Sequence, residues 1–313
     1  MAEINDFEDF YNQKIGPLVL DHKKRSILYD RWGYVFAGSL LFFFVSIIAA
    51  LQFRVQGAAY VCLFAVAFLV FTVFKFASIQ ISFTGNFKKR IITEIVDFVL
   101  PGNEYKPDSY ISTKLFKASC LYRFRVNNIE GDDFIKGRYK NVAFQGCELW
   151  TYTGRPDVSN EGMLFKGLFF AADLGSFSGG TYIWRKNNIQ LGDSIADERY
   201  RLFPIPRVQK INTGSPQFDK YYHVYSTYPT EAHTILTADM MQQILSFRQQ
   251  LKKEKKEISL SFVAGRCYVA IPFNQKLLEP ATDLTDKDAI KEYFFTILLY
   301  PAIINQLKLY EYI

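Results

Sequence analysis

Trp32–Phe53 reads WGYVFAGSLLFFFVSIIAALQF, 22 residues without a charged side chain, 12 of them Leu, Ile, Val or Phe. At 1.5 Å per residue this stretch makes a helix of about 33 Å, enough to cross a hydrocarbon core of about 30 Å. Working outward, Arg54, Val55 and Gln56 interrupt the run, and Gly57–Phe74 supplies another 18 uncharged residues. A connection of three residues forces the two helices into an antiparallel hairpin. A soluble helical hairpin would need a core on every side of both helices, since neither carries a polar face. A cleaved leader fits worse, because the apolar run begins only after 31 residues that hold six acidic side chains.

The flanks orient the hairpin. Lys23, Lys24, Arg25 and Arg31 precede it, Lys75, Lys88, Lys89 and Arg90 follow it, and Arg54 stands alone in the turn. The excess of Lys and Arg on one side predicts both termini in the cytoplasm. Trp32, Tyr34 and Tyr60 lie near the span ends, where amphipathic rings prefer the membrane interface. Cys120, Cys147 and Cys267 remain outside the spans. An odd number with no C-x-x-C spacing predicts reduced thiols, in agreement with a cytoplasmic location, and is a poor zinc or disulfide framework. A net charge of +6, without a basic stripe interleaved with aromatics, excludes nucleic acid as the expected partner and leaves the bilayer as one.

The expected organisation is an amphipathic N-terminal segment (1–31), a transmembrane hairpin (32–74, with spans 32–53 and 57–74) and a cytoplasmic domain (75–313). Phe7, Phe10, Tyr11, Ile15 and Leu18 sit at helical spacing in the first of these. Asn86–Leu100 repeats that pattern and ends at Pro101-Gly102, with Lys88, Lys89 and Arg90 in its first turn, available to an anionic surface. Tyr105–Tyr152 is strand-like, with Asn127-Asn128 and Glu130–Asp133 as punctuation. Thr153–Gly162 reads as a polar loop, and Met163–Ala171 and Thr181–Trp184 as strands around the turn Gly175–Gly180. Asn187–Tyr200 reads as an insertion, and Phe218–Leu236 as strands broken at Pro229. Thr237 caps a helix, Ala264-Gly265 turns a hairpin, and the final helix from near Asp286 has an apolar run too short to span. The fold class is therefore α+β: a two-helix transmembrane hairpin followed by a soluble domain with a mainly antiparallel sheet and flanking helices.

Three stretches are tested for chemistry. Gly131-Asp132-Asp133 sets two carboxylates side by side; a hairpin tip accounts for them better than a metal or acid/base site. Gly175–Gly180 lacks the Gly-Lys-Ser/Thr ending of a phosphate loop and the spacing of G-x-G-x-x-G. If 218–236 is a hairpin centred near Tyr228, His223 and His233 face each other, with Glu231 beside His233. Two imidazoles and a carboxylate could then hold zinc or move protons. Ser226 near His223 and Asp219 has the letters of a triad and no motif to support them.

Read in order, the N-terminal helix and hairpin, Tyr105-Lys106-Pro107, Ser119–Tyr122, Gly131-Asp132-Asp133 with Gly137, Phe165–Phe169, Thr213–Phe218, Val224–Ser226, Glu231-Ala232 and Ile235–Thr237 together resemble the bacterial domain of unknown function 3137 family. The resemblance implies an inner-membrane hairpin with a cytoplasmic domain and no established activity or cofactor, and it points to an envelope-associated partner of the LemA-like kind. It also implies Arg where His233 stands, which weakens a metal reading there. The expectation is a membrane-tethered binding or scaffold module with no cofactor and no resident metal. The alternative is a membrane-bound hydrolase-like enzyme using Asp132/Asp133 or His223/Glu231/His233. A transporter subunit is disfavoured because neither span carries an ionisable residue.

Overall fold

Phe7, Phe10, Tyr11 and Ile15 are all buried, and the helix they open continues far past the N-terminal segment. In the computed structural model α1 (Ile4–Phe10) passes through one π turn (Tyr11–Ile15) into α2 (Gly16–Phe53). After Gly57, α3 (Ala58–Phe87) passes through a second π turn (Lys88–Ile92) into α4 (Thr93–Val99). The structure describes residues 4–53, 57–122, 126–152, 162–175, 178–186, 208–253, 258–281 and 287–313. Arg54, most of the 153–162 loop and all of 187–200 lie outside them.

Contacts divide the chain into two units, 1–98 with 279–293, and 99–278 with 294–313. In the first, α2 and α3 pack antiparallel through small residues. Ser39 Oγ and Thr72 Oγ1 share a buried hydrogen bond of 2.7 Å, and the Cys62 thiol donates to Ser46 O at 3.6 Å. Ser39, Ser46 and Thr72 each also donate to the carbonyl three residues back. Polar groups are thereby satisfied inside an otherwise apolar pair. Outside the seam, Leu41, Phe44, Leu51, Leu63, Phe64 and Phe74 are exposed.

Both helices are long and apolar enough to cross a membrane, yet only 11% of the most apolar window of each is buried. That exposure is the reverse of what a core helix shows. Gly33 lies against Phe76 and Ser39 against Thr72. This pairing brings Lys75 to within about a turn of the level of Trp32 and Tyr34, so cation and rings lie at one level along the hairpin.

Further along this unit Lys88 points inward, 4% exposed, and pairs with Glu279 at 3.2 Å. Arg90 pairs with Asp21, which Arg25 also approaches. Lys287 bonds Glu8 and lies over the Tyr11 ring. Of the cations expected to face an anionic surface after the hairpin, Lys88 is therefore spent on an internal ion pair, whereas Lys75 and Lys89 are exposed.

His22 is 5% exposed between the rings of Phe83 and Phe87, and its Nε2 has no hydrogen-bond partner. Burial first, then the nearby Arg25, lowers its pKa from 6.5 to about 4, with Arg90 adding and Asp21 opposing. The unfolded chain therefore binds more protons between those values. The stabilising difference is present above the unfolded pKa and is lost as pH falls towards the folded one. The full-length chain in detergent is expected to melt progressively lower from about pH 7 to about pH 5, and His22→Leu should flatten part of that slope. Parallel slopes in the two proteins would place the acid sensitivity on other groups.

The second unit is built on one antiparallel sheet. Among the described residues its strands are β1 (Glu104–Lys106), β2 (Asn128–Tyr139), β3 (Val142–Tyr152), β4 (Met163–Asp173), β5 (Gly180–Arg185), β6 (Gln209–Lys210), β7 (Tyr222–Ser226), β8 (Ser259–Val263) and β9 (Arg266–Pro272). They lie in the order β1-β2-β3-β4-β9-β8-β5-β7-β6. The edge strands are three and two residues long, which limits the unpaired backbone offered to another chain. The β8–β9 hairpin turns at Ala264 and Gly265, and the β2–β3 hairpin at Lys140 and Asn141; both pairs have positive φ, as two-residue turns require.

Alternation along β4 sorts the faces. Phe165, Phe169 and Ala171 join a cluster with Phe116 of α5 (Thr113–Ala118), Trp184 and Tyr268. Phe170 turns the other way and meets Tyr300 of α9 (Lys287–Gln306). Thr237 caps α8 (Ala238–Lys253) by accepting from the Met240 amide. The architecture is α+β: two long apolar helices, then a mostly antiparallel sheet with helices flanking it.

Two sequence readings are corrected. Glu130–Asp133 is not a tip between strands, because β2 runs through it. The register shifts between Asp132 and Ile135, and Asp133 takes φ +58, so the turn-prone letters encode a bulge within a strand. Nor is 218–236 a hairpin. α6 (Pro216–Asp219) precedes β7, and residues after it form α7 (Pro229–Ile235), with Pro229 in the first helical turn, where its missing N–H costs nothing.

Candidate functional site

The α7 helix decides the fate of the histidine constellation. His223 lies on β7 opposite Trp184, while Glu231 and His233 ride the helix. Both Glu231 carboxylate oxygens are occupied, accepting from the Ser178 and Gly179 amides at 2.9 and 3.0 Å. A Cβ on Gly179 would come within 2.4 Å of Oε2. Two sequence candidates thus explain each other: the glycine turn is bare so that its backbone can reach a carboxylate from α7. Two of that turn's residues, 176 and 177, lie outside the described residues. Ser226 is buried, bonded to Thr181 Oγ1 and to the carbonyls of Gly180 and Tyr228, a β-sheet tie rather than a nucleophile beside a base.

His223 instead lines a cavity of about 340 Å³ with Lys186, Lys210 and Asp219. Burial, then Lys210 and Lys186, lowers its pKa, so the neutral ring is favoured there. Asp219 already accepts from Thr213 Oγ1 at 2.9 Å.

Asp132 and Asp133 meet a third carboxylate that sequence reading missed. Glu148 is the cross-strand partner of Asp132 in β3, and ligand atoms of Asp132, Asp133 and Glu148 lie within 4.8 Å of one another. Among the described residues this is the group of His, Cys, Asp or Glu side chains that converges closely enough to hold an ion, and His223, Glu231 and His233 form no such group. Register could have found Glu148 once β2 was recognised as continuous.

The bonds around the cluster are structural. Tyr105 donates to Asp133 Oδ1 at 2.6 Å, the Asp133 amide donates to Pro107 O, and the buried Leu277 amide donates to Glu148 Oε2 at 2.8 Å. Burial, then the Asp133 charge, holds the Tyr105 phenol far above its usual range, so it remains a donor. The acids fasten the 105–109 segment and the 277 loop to the sheet. Cys147 and Cys267 are buried free thiols whose pKa burial pushes up, so they are inert core residues.

Another cavity, of about 410 Å³, opens at the end of the sheet where β4 and β8 begin and β5 and β9 finish. That volume falls within the range of small-molecule sites, about 300–1,000 Å³. Its walls are Tyr122, Phe165, Pro272 and Phe273, and its charged groups are Lys166 and Arg185. The aromatic wall is packed in place: Tyr122 lies 5.3 Å from Phe165 and 5.6 Å from Phe116, centroid to centroid. The Lys166 ammonium donates to Asn274 O at 3.3 Å, and the Phe273 amide donates to Lys166 O at 3.0 Å.

Gly167 makes this corner possible. Its φ is +149, and a Cβ there would stand 2.2 Å from Ile271 O and 2.9 Å from Pro272 Cα. The strands can close on each other only over a hydrogen, which sets Lys166 and Phe273 on either side of the junction. Sequence reading placed Phe165–Phe169 in a strand and saw no site in it. Residues 163–309 match the family model described as "Protein of unknown function (DUF3137)". The DUF3137 match runs from β4 into the C-terminal 3-10 turn, and it contains every wall and charge of the larger cavity named above except Tyr122. Asp132, Asp133 and Glu148 lie before it. No curated protein and no solved structure matches the chain.

Proposed function

We propose that the protein is a membrane-tethered binding module. α2 and α3 cross the bilayer at about 32–53 and 57–74, and the sheet domain is carried in the cytoplasm of a bacterium, at its inner membrane. The observation that carries this reading is the exposure of the two apolar windows, which present a spanning length of apolar side chains outward as a lipid surround would take them. The basic flanks and free thiols support the cytoplasmic side. The cavity at the sheet end, with packed apolar walls and polar groups in its lining, supports binding as the task of the soluble part, for a small ligand or for an envelope-associated protein.

Topology is tested by impermeant thiol labelling of intact cells. A cysteine introduced at Arg54 should react, and one introduced at the exposed Lys114 of α5 should react only after lysis. The reverse pattern would place the sheet domain outside and end the charge argument. Extraction of the full-length chain from membranes by carbonate alone would remove the tether itself.

A further inference from the structure

Asp21, Lys23, Lys24, Arg25, Asp30 and Arg31 crowd the part of α2 that precedes Trp32. Six charges in three turns of helix keep that part out of hydrocarbon. Yet α2 is one unbroken helix from Gly16 to Phe53, and Leu20 lies about 18 Å along its axis from Trp32 at 1.5 Å per residue. Leu20 and Ile27 therefore stand beyond the hydrocarbon, and they are 63% and 49% exposed.

Both belong to a line on the side of α2 turned away from α3. Towards α3 the helix presents His22, Tyr29, Phe36 and Ser39, which meet Phe83, Phe76 and Thr72. On the opposite side Leu20, Ile27, Tyr34, Leu41 and Ile48 recur every seventh residue, all exposed. Lys24, Arg31, Gly38 and Val45 alternate with them and are exposed as well. This spacing is the one that keeps a stripe against a neighbouring helix over many turns. A Cβ on Gly38 would meet nothing within 4 Å, so a second backbone has room to come close there.

We propose that this outer line of α2 packs against a transmembrane helix of a different membrane protein. That helix continues into the cytoplasm as an amphipathic segment with carboxylates facing Lys24 and Arg31. The inference rests on the hairpin spanning the bilayer and names the kind of partner it takes. Charge decides the occupant. The line and its flank carry Lys23, Lys24 and Arg31 against Asp30, all exposed, while Asp21 is already shared by Arg25 and Arg90. Two copies in one membrane have parallel α2 helices, and a two-fold axis between them would set Lys24 against Lys24 and Arg31 against Arg31. Like charges facing across a seam oppose association, whereas Asp or Glu on another helix would be attracted.

The test places the full-length chain in phosphatidylcholine liposomes with synthetic single-span peptides and reads energy transfer between them. The peptides share one apolar span. The cytoplasmic extension carries Leu and Glu at heptad spacing in one, and Leu and Lys in the other. The Glu peptide should associate about tenfold more tightly than the Lys peptide. Lys24→Glu combined with Arg31→Glu should invert that preference. Leu20→Asn combined with Ile27→Asn should weaken the Glu peptide about tenfold. All four positions are exposed, so the variants leave the packing of α2 on α3 intact.

Equal association of the two peptides, or a preference that the charge variant leaves unchanged, would overturn the assignment. Energy transfer between two labelled copies that excludes the Glu peptide would make a second copy the occupant instead. Loss of the preference in liposomes containing phosphatidylglycerol would give the cations to lipid headgroups. In native membranes, a photoreactive group introduced at Ile27 should form an adduct with an acidic segment beside a transmembrane span, and the charge variant should abolish it. An adduct with lipid or with a second copy would overturn the proposal. Extraction of the chain from the liposomes by carbonate would remove the tether, whereas an inserted chain that does not distinguish the peptides would remove this inference alone.

Discussion

Gly167→Val should cost the sheet domain most of its stability, by about 2–6 kcal/mol when the backbone strain and the overpacking are added. Folded domains are stable by about 5–15 kcal/mol, so a loss of that size lowers the melting temperature steeply and reduces the yield of folded chain. The reason is local and double. At φ +149 a side chain is strained whatever the space around it, and here the space is also absent, with Ile271 O 2.2 Å from the position of a Cβ. Neither neighbour can yield cheaply, because both are backbone atoms of β9, which pairs with β4 through Asp173. Gly175→Ala is the control: its φ is +75, but nothing lies within 4 Å of its Cβ position. It should cost only the left-handed penalty of about 1–2 kcal/mol. Similar melting curves for the two variants would show that β4 and β9 can separate at this point. The closed junction that positions Lys166 and Phe273 would then not be a fixed feature of the cavity.

Ser39→Lys should prevent stable insertion of the hairpin. Ser39 is 1% exposed and its hydroxyl is 2.7 Å from that of Thr72, itself fully buried in the seam. The position lies within about 5 Å of the middle of the 32–53 span at 1.5 Å per residue. A lysine near the centre of a span costs about 2.5–3.5 kcal/mol for insertion alone. Its length adds a packing cost of about 1–3 kcal/mol, since the seam closes over small side chains. The ammonium is too deep to reach either surface without dragging the helix. Membrane fractions should lose the chain, or hold it in a form that carbonate removes. Ser39→Ala, which deletes one interhelical hydrogen bond worth about 0.6 kcal/mol, should remain inserted. Equal retention of both variants would mean that the hairpin does not sit in hydrocarbon, and the tether would have to be abandoned.

The candidate site was legible in its parts and not as a whole. Phe165–Phe169 reads as a strand from its aromatic content, yet nothing in its letters says that Lys166 and Arg185 line one cavity. They line one opening because β9 and β8, which lie between β4 and β5 in the sheet order, bring the ends of those strands to the same end of the sheet, a pairing made over about a hundred residues of chain. Glu148 was missed for a related reason: its approach to Asp132 depends on a register that a bulge displaces. The histidines misled in the opposite sense. Their spacing suits a hairpin only if Pro229 turns the chain, whereas proline at the start of a helix is equally acceptable.

What the sequence determined by itself are the features carried by local periodicity and local backbone chemistry. Two apolar runs of spanning length, the Thr237 cap, the Ala264-Gly265 turn and the aromatic strands are each decided within about twenty residues. Solvent transfer, capping and permitted φ values act at that range. The tertiary structure alone decided which strands neighbour each other, that Asp133 sits in a bulge, that Glu231 ties down a glycine turn, and that Lys88 turns inward to Glu279. It also decided that two cations and an aromatic wall enclose one cavity. These outcomes depend on burying many side chains at once against partners remote in sequence, and the free energy of such packing belongs to the set of contacts rather than to any residue within it.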